Sequence, residues 1–168
     1  MYKQILIFFQ AKDDFLTQAD QVIYTGMIDQ FFDYQFGALE YRSLRFETEV
    51  LDQADFQGNA VINYTDAETP FTRIIEHKHF EGGKGHQTVI TREYPENWNQ
   101  TKEPYYPIND RLNNELYKKY AALSRTMPHV YFGGRLGQYK YLNMDQVIYA
   151  ALTLAKNEFK KLGSLIKN

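Results

Sequence analysis

The stretch GGRLGQYKYLNMDQ, residues 133–146, places three glycines, an arginine and two tyrosines directly ahead of an amphipathic pattern. A glycine-rich turn feeding a helix N-terminus suits an anion, because free backbone N–H groups and the positive end of the helix dipole point the same way. The spacing matches neither G-x-G-x-x-G nor G-x-x-x-x-G-K-[ST], so the turn is not a nucleotide fingerprint by itself. Other candidates are scattered: Arg73 in FTRIIEH, Asn63 in VINYTD, Tyr106 in EPYYP and Tyr141 in YKYLN. A guanidinium can hold a phosphate through paired hydrogen bonds and stabilise the charge of a departing group. A phenol offers one hydrogen bond and a flat apolar wall without added charge.

Taken singly, each of these also reads as an ordinary residue of a strand or core, with Arg73 as the surface partner of an acid such as Glu76. His77 and His79 in EHKHF stand two apart, on one face of a strand. With no third ligand beside them they read as a solvent-facing pair, and no metal is expected. Glu93 in TREYP reads either as a surface acid or as a contact to a sugar. No serine–histidine–acid arrangement is present.

The elements that must position these residues follow from periodicity. QVIYTG (21–26) is a short apolar strand ending on glycine, and MIDQFFDYQFG (27–37) is a loop or a single helical turn. Alternation then predicts strands in 38–50, 59–65, 71–80 and 86–94, joined by short polar turns, hence an antiparallel meander. A proline-punctuated loop (97–110) leads to a helix with Asn109 or Asp110 as its cap, and with Leu112, Leu116, Tyr120 and Leu123 on one face. HVYFGG (129–134) is a buried-type strand. The last helix is predicted from Met144 to Leu162, capped by Asn143 and stopped by Gly163. Its apolar stripe would be Met144, Val147, Ile148, Ala151, Leu152, Ala155, Phe159 and Leu162. The strands at 21–26 and 129–134 each lack a partner, as strands cut from a larger sheet would.

Composition narrows the classes. A chain of 168 residues fits one domain. A net charge of −2 and a pI near 6.1 provide no basic stripe, so no nucleic-acid partner is expected. The absence of cysteine excludes disulfides, thiolate metal sites and a cysteine nucleophile, and is compatible with a cytoplasmic address. The apolar run in MYKQILIFFQ is too short to span a membrane and lacks a cleavage site, so a soluble protein is expected.

Five motifs then read together: VIYTGMIDQFFDYQFGALEYRSLRFETE, GNAVINYTDAETPFTRIIEHKHF, TVITREYP, EPYYPIND and FGGRLGQYKYLNMDQVI. In this order they closely resemble the C-terminal part of bacterial UDP-galactopyranose mutases. The resemblance implies an α+β chain: a substrate-side antiparallel sheet over 27–110, with 1–26 and 111–168 belonging to a truncated FAD-binding α/β domain. It implies an isomerase of cell-wall polysaccharide biosynthesis that interconverts UDP-galactopyranose and UDP-galactofuranose, with reduced FAD acting as nucleophile. By resemblance, Arg73, Tyr106 and Tyr141 serve catalysis and, with Asn63, bind the substrate. Gly134, Arg135, Asn143, Met144 and Asp145 then approach the cofactor. Where the family carries aspartate in YxYLDMD, this chain has Asn143, which keeps the helix-capping role and lacks the carboxylate. The flavin fingerprint and helical substrate domain have no counterpart in these residues, so the chain alone is expected to be inactive. The alternative is a non-catalytic binding module that retains the fold and self-associates through exposed strand edges.

Overall fold

The computed structural model describes residues 11–165. The apolar run at residues 5–9, and the side chains of Phe159 and Leu162, lie outside what it describes. In chain order the elements are α1 (Lys12–Gln18), β1 (Val22–Tyr24), α2 (Ile28–Phe31), β2 (Tyr41–Leu51), β3 (Val61–Asn63), β4 (Arg73–Glu76), a 3-10 turn (His77–Phe80), β5 (Thr88–Asn97), β6 (Tyr106–Pro107), α3 (Arg111–Ser124), β7 (Val130–Phe132), α4 (Gly134–Gly137) and α5 (Met144–Leu165). The chain is mixed α/β and divides into two compact units, one of residues 41–105 and one of the segments on either side.

In the flanking unit, β1 and β7 pair in parallel, Val22 opposite Val130 and Tyr24 opposite Phe132. The two strands that lack partners in the sequence therefore find each other. Beneath them α2 buries Phe31, whose ring meets Tyr24 and Phe132 at 4.9 Å each. The helix α1 was not anticipated from the alternation of apolar residues. Its first turn carries Asp13 and Asp14, favourable beside a positive dipole end. Lys12 ties it down by donating to the Phe31 carbonyl at 2.9 Å and pairing with Asp33 at 2.9 Å.

Asp110 caps α3 as expected, its Oδ1 accepting from the Asn113 amide at 2.8 Å. The packed face overlaps the anticipated one, with Tyr120 buried and Leu116 and Leu123 partly buried, but it is shifted to one side: Asn113 is buried beside them, while Leu112 is 80% exposed. Polar ties set this rotation. Asn113 Oδ1 accepts from the Glu40 amide at 3.0 Å, and the Tyr120 hydroxyl donates to the Gly37 carbonyl at 2.7 Å. In α5 likewise Met144, Ile148 and Leu152 face solvent, whereas Val147, Ala150, Leu154 and Glu158 are partly buried. Glu158 accepts a hydrogen bond from the Tyr131 hydroxyl on β7, which fixes that face inward. Nor does Gly163 stop the helix, which continues through Leu165.

In the sheet unit the β3–β4, β4–β5 and β5–β2 pairings are antiparallel, as expected, but the order is β3–β4–β5–β2 and not a meander. The first strand lies beside the last, a Greek-key order. The physical reason is the connection after β2: residues 52–60 are too many for a two-residue hairpin and carry the chain to the far edge. The long β2–β5 ladder, Arg42 opposite Asn97 to Leu51 opposite Thr88, supplies the backbone of the sheet. The predicted strand 71–80 ends at Glu76, and His77–Phe80 coils into the 3-10 turn.

That turn is anchored by one buried and one half-buried charge. Glu76, fully buried, accepts from the Phe56 and Gln57 amides at 3.0 and 2.9 Å and from the Thr88 hydroxyl at 2.7 Å. The Lys78 ammonium donates to the carbonyls of Ala54, Gly85 and Gln87 at 2.6, 3.2 and 2.9 Å. Five backbone groups of two loops and the Thr88 hydroxyl of β5 are satisfied in this way, which the buried part of those loops requires.

Candidate functional site

The residues singled out in the sequence fall into two clusters, one in each unit. In the sheet unit, register alone aligns Asn63, Arg73, Glu93 and Phe46 in one row across all four strands: Asn63 opposite Arg73, Arg73 opposite Glu93, Phe46 opposite Glu93. Residues directly opposite in an antiparallel pair share a face, so the row is one line of side chains. Arg73 Nε donates to Asn63 Oδ1 at 2.8 Å, and its Nη1 stands 3.6 Å from Glu93 Oε2. Glu93 is nearly closed to solvent, while the arginine side chain is 38% exposed. The guanidinium is therefore gripped from within the sheet and presents its outer edge. Glu93 is the orienting group here, and the Asn63 and Phe46 contacts could be found only from the strand pairing.

Two residues further along the same face, Thr48 and Thr91 share a hydrogen bond at 2.9 Å and the Thr91 hydroxyl also meets His77 Nε2 at 2.8 Å. His79, expected on the same strand face as His77, instead turns to Glu76 and Asp55, at 3.2 and 3.4 Å from its Nε2. The two histidines part because the 3-10 turn rotates each residue by about a third of a turn, where a strand would return residues two apart to one face.

In the flanking unit, Tyr106 on β6 and Tyr141 before α5 stack with ring centroids 5.3 Å apart. The Arg135 guanidinium lies over both rings, at 5.2 Å from the first and 6.0 Å from the second. Its Nε donates to the Leu142 carbonyl at 2.7 Å, which holds the cation on the rings. Tyr141 is 58% exposed, so the stack is an open surface. Gly134, with φ of +72°, starts α4 in a conformation that side chains resist. At Gly137 a Cβ would come within 3.1 Å of the Tyr24 carbonyl, so glycine lets this turn pack against β1 without displacing that strand.

Tyr139, between these residues, is buried with φ of +46°. Its hydroxyl donates to the Glu40 carbonyl at 2.6 Å and lies 2.9 Å from that of Ile108, and burial drives its pKa well above the usual phenol range. It fixes the segment carrying Tyr141 from behind. Asn143 opens α5 in half of a capping box: its carbonyl accepts from Val147 at 3.0 Å and its amide donates to Gln146 Oε1 at 2.8 Å. Gln146 had not been singled out, though the N-x-x-Q spacing carries the signal. The next amides, at Met144 and Asp145, belong to the first turn and have no intrahelical acceptor. Beside them runs a shallow depression lined by Gln138, Lys140, Leu142, Asp145, Gln146 and Tyr149.

A parallel strand pair packed on aromatic side chains and an antiparallel sheet bearing an oriented arginine define a mixed α/β chain. The family model for UDP-galactopyranose mutase matches residues 4–141, and the chain belongs to that family. It is 42% identical over 135 residues to a probable UDP-galactopyranose mutase of Klebsiella pneumoniae, covering 80% of this chain and 35% of that protein. It is 41% identical over 143 residues to the UDP-galactopyranose mutase of Mycoplasma pneumoniae, covering 82% of this chain and 35% of that protein. A dTDP-fucopyranose mutase of Escherichia coli is 36% identical over 140 residues, covering 83% of this chain and 37% of that protein. The chain thus spans about a third of the length of these relatives. Among the described residues no helix is long and apolar enough to cross a membrane.

Proposed function

We propose that this chain is the C-terminal part of a mutase that interconverts the pyranose and furanose forms of UDP-galactose, with the sheet unit serving the substrate and the flanking unit completing a truncated FAD-binding domain. In this reading residues 27–110 form the substrate side, and 1–26 with 111–168 the FAD side. The observation that carries it is Arg73, oriented by Asn63 and Glu93 with its outer edge open. When the anomeric C–O bond to UDP breaks, the electron pair leaves with the diphosphate, and a guanidinium held in place stabilises that charge more as it develops. Tyr106 and Tyr141 add phenol donors to the phosphates and a flat wall to the sugar.

The residues around α5 suit a flavin. The open amides of Met144 and Asp145 offer donors to an electron-rich ring edge, Arg135 offers a cation, and Gly134 and Gly137 allow close backbone approach. Reduced FAD, when bound, would supply the nucleophile of the reaction. Asn143 keeps the cap of α5 and brings no carboxylate there. None of the 168 residues forms a G-x-G-x-x-G fingerprint, so these residues alone are expected to hold flavin weakly and not to turn over substrate.

The deciding experiment is to incubate the purified chain with FAD, pass it through gel filtration, and titrate it with UDP by calorimetry. UDP binding that is lost in Arg73→Ala, with little retained flavin, is the expected result. Conversion of UDP-galactopyranose by this chain with reduced FAD would refute the expected inactivity, and no UDP binding would refute the substrate role of the sheet. A second reading, a non-catalytic module that associates with itself or a partner, draws on the outward-facing Met144, Ile148, Tyr149 and Leu152 of α5. Dimerisation abolished by Ile148→Glu, together with no UDP binding, would favour it.

A further inference from the structure

We propose that Asp55, Glu76 and His79 form a binding site for a divalent metal ion of the zinc class, separate from the Arg73 cluster. Their three ligand atoms lie within 4.8 Å of one another. His79 Nε2 stands 3.2 Å from Glu76 Oε2 and 3.4 Å from Asp55 Oδ1. A tetrahedral ion with bonds of about 2.0–2.1 Å separates its ligand atoms by about 3.3 Å, which both distances match.

A second observation concerns the direction of the ring nitrogen. Nε2 of His79 is shut off from solvent and makes no aligned hydrogen bond, although two carboxylate oxygens are within reach. That nitrogen therefore stands beside both carboxylates with its bonding capacity unused, as a group that would ligate a shared ion does. A buried nitrogen without an aligned bond is unfavourable, and an ion there would satisfy it while neutralising both carboxylates.

The surroundings are those of a metal site. Glu76 is wholly buried, and its orientation is fixed by the amides of Phe56 and Gln57 and the hydroxyl of Thr88, which act as an outer shell. Asp55 is held at Oδ1 by the Gly58 amide at 2.7 Å and is half exposed, which supplies the entry path and room for a water ligand. One imidazole among two carboxylates favours zinc over magnesium or calcium, which prefer all-oxygen shells. The ion would staple the β2–β3 connection to the 3-10 turn, a structural role that does not depend on the reaction.

The test is a zinc titration of the chelator-treated chain by calorimetry at neutral pH, repeated with cobalt, whose visible absorption reports a tetrahedral site. One ion per chain is expected, with affinity falling about tenfold or more in Asp55→Asn and in His79→Gln, and unchanged in His77→Gln. Asp55→Asn keeps the test decisive if His79→Gln does not fold, because Asp55 lies at the surface. Absence of zinc binding, or binding that persists in folded Asp55→Asn, would overturn the site and leave an ordinary ion pair.

Discussion

The ring of Tyr106 stacks on that of Tyr141 with planes 29° apart, and Arg135 spans the pair. One residue lies before α3 and the other before α5, so the stack and its cation fasten two distant segments of the same unit. Removing the cation should loosen both. Arg135→Ala releases the Leu142 carbonyl and both ring faces, and is expected to lower stability in urea unfolding by about 1–2 kcal/mol. Arg135→Lys should recover only part of this, since an ammonium lacks the planar fork.

Arg73→Lys should weaken UDP binding by about tenfold or more in calorimetry, because one ammonium cannot both donate to Asn63 as Nε does and present a paired edge to a diphosphate. Glu93→Gln, which keeps the shape and removes the charge, should have a smaller effect. Equal UDP affinity in all three proteins would remove Arg73 from the substrate site.

Glu76→Ala is expected to be among the most destabilising single changes in the sheet unit. It strands the Phe56 and Gln57 amides and the Thr88 hydroxyl, and a loss of about 2–4 kcal/mol in chemical denaturation follows. A loss below ~1 kcal/mol would show that water replaces the carboxylate freely.

Tyr139→Phe deletes the hydroxyl shared by the Glu40 and Ile108 carbonyls and should cost about 1–2 kcal/mol without changing secondary structure by circular dichroism. A melting temperature equal to that of the parent would show the bond to contribute nothing.

Burial, aided by Asp29, pushes the Tyr34 phenol up to about 12, and burial raises Tyr24 and Tyr139 as well. A raised folded-state pKa contributes stability that is complete below the unfolded value near ~10 and is lost as pH rises through the folded value. Unfolding should therefore set in above about pH 10, with the ultraviolet absorbance of tyrosinate rising in step with loss of the far-ultraviolet dichroism. Full ionisation of all tyrosines with the dichroism intact would contradict this.

The sequence by itself determined which segments alternate and which recur at helical spacing, where Asp110 caps α3, and that the middle of the chain is an antiparallel sheet. Those properties are local, set within a few residues by pleat, turn and cap chemistry. Order of motifs alone also sufficed to place the chain among the mutases.

Only the tertiary structure decided which partners these elements take. The nine residues after β2 carry the chain to the far edge, turning an expected meander into the order β3–β4–β5–β2 and so lining up Asn63, Arg73, Glu93 and Phe46. A polar tie made by Asn113 brings that residue inward on α3 and leaves Leu112 outside, and the tie of Tyr131 to Glu158 turns most of the expected apolar stripe of α5 outward, since a buried hydrogen bond left unmade costs more than an exposed apolar side chain. The 3-10 turn separates His77 from His79 for the same reason: Glu76 and Lys78 had loop amides and carbonyls to satisfy, and no periodicity within the strand carries that demand.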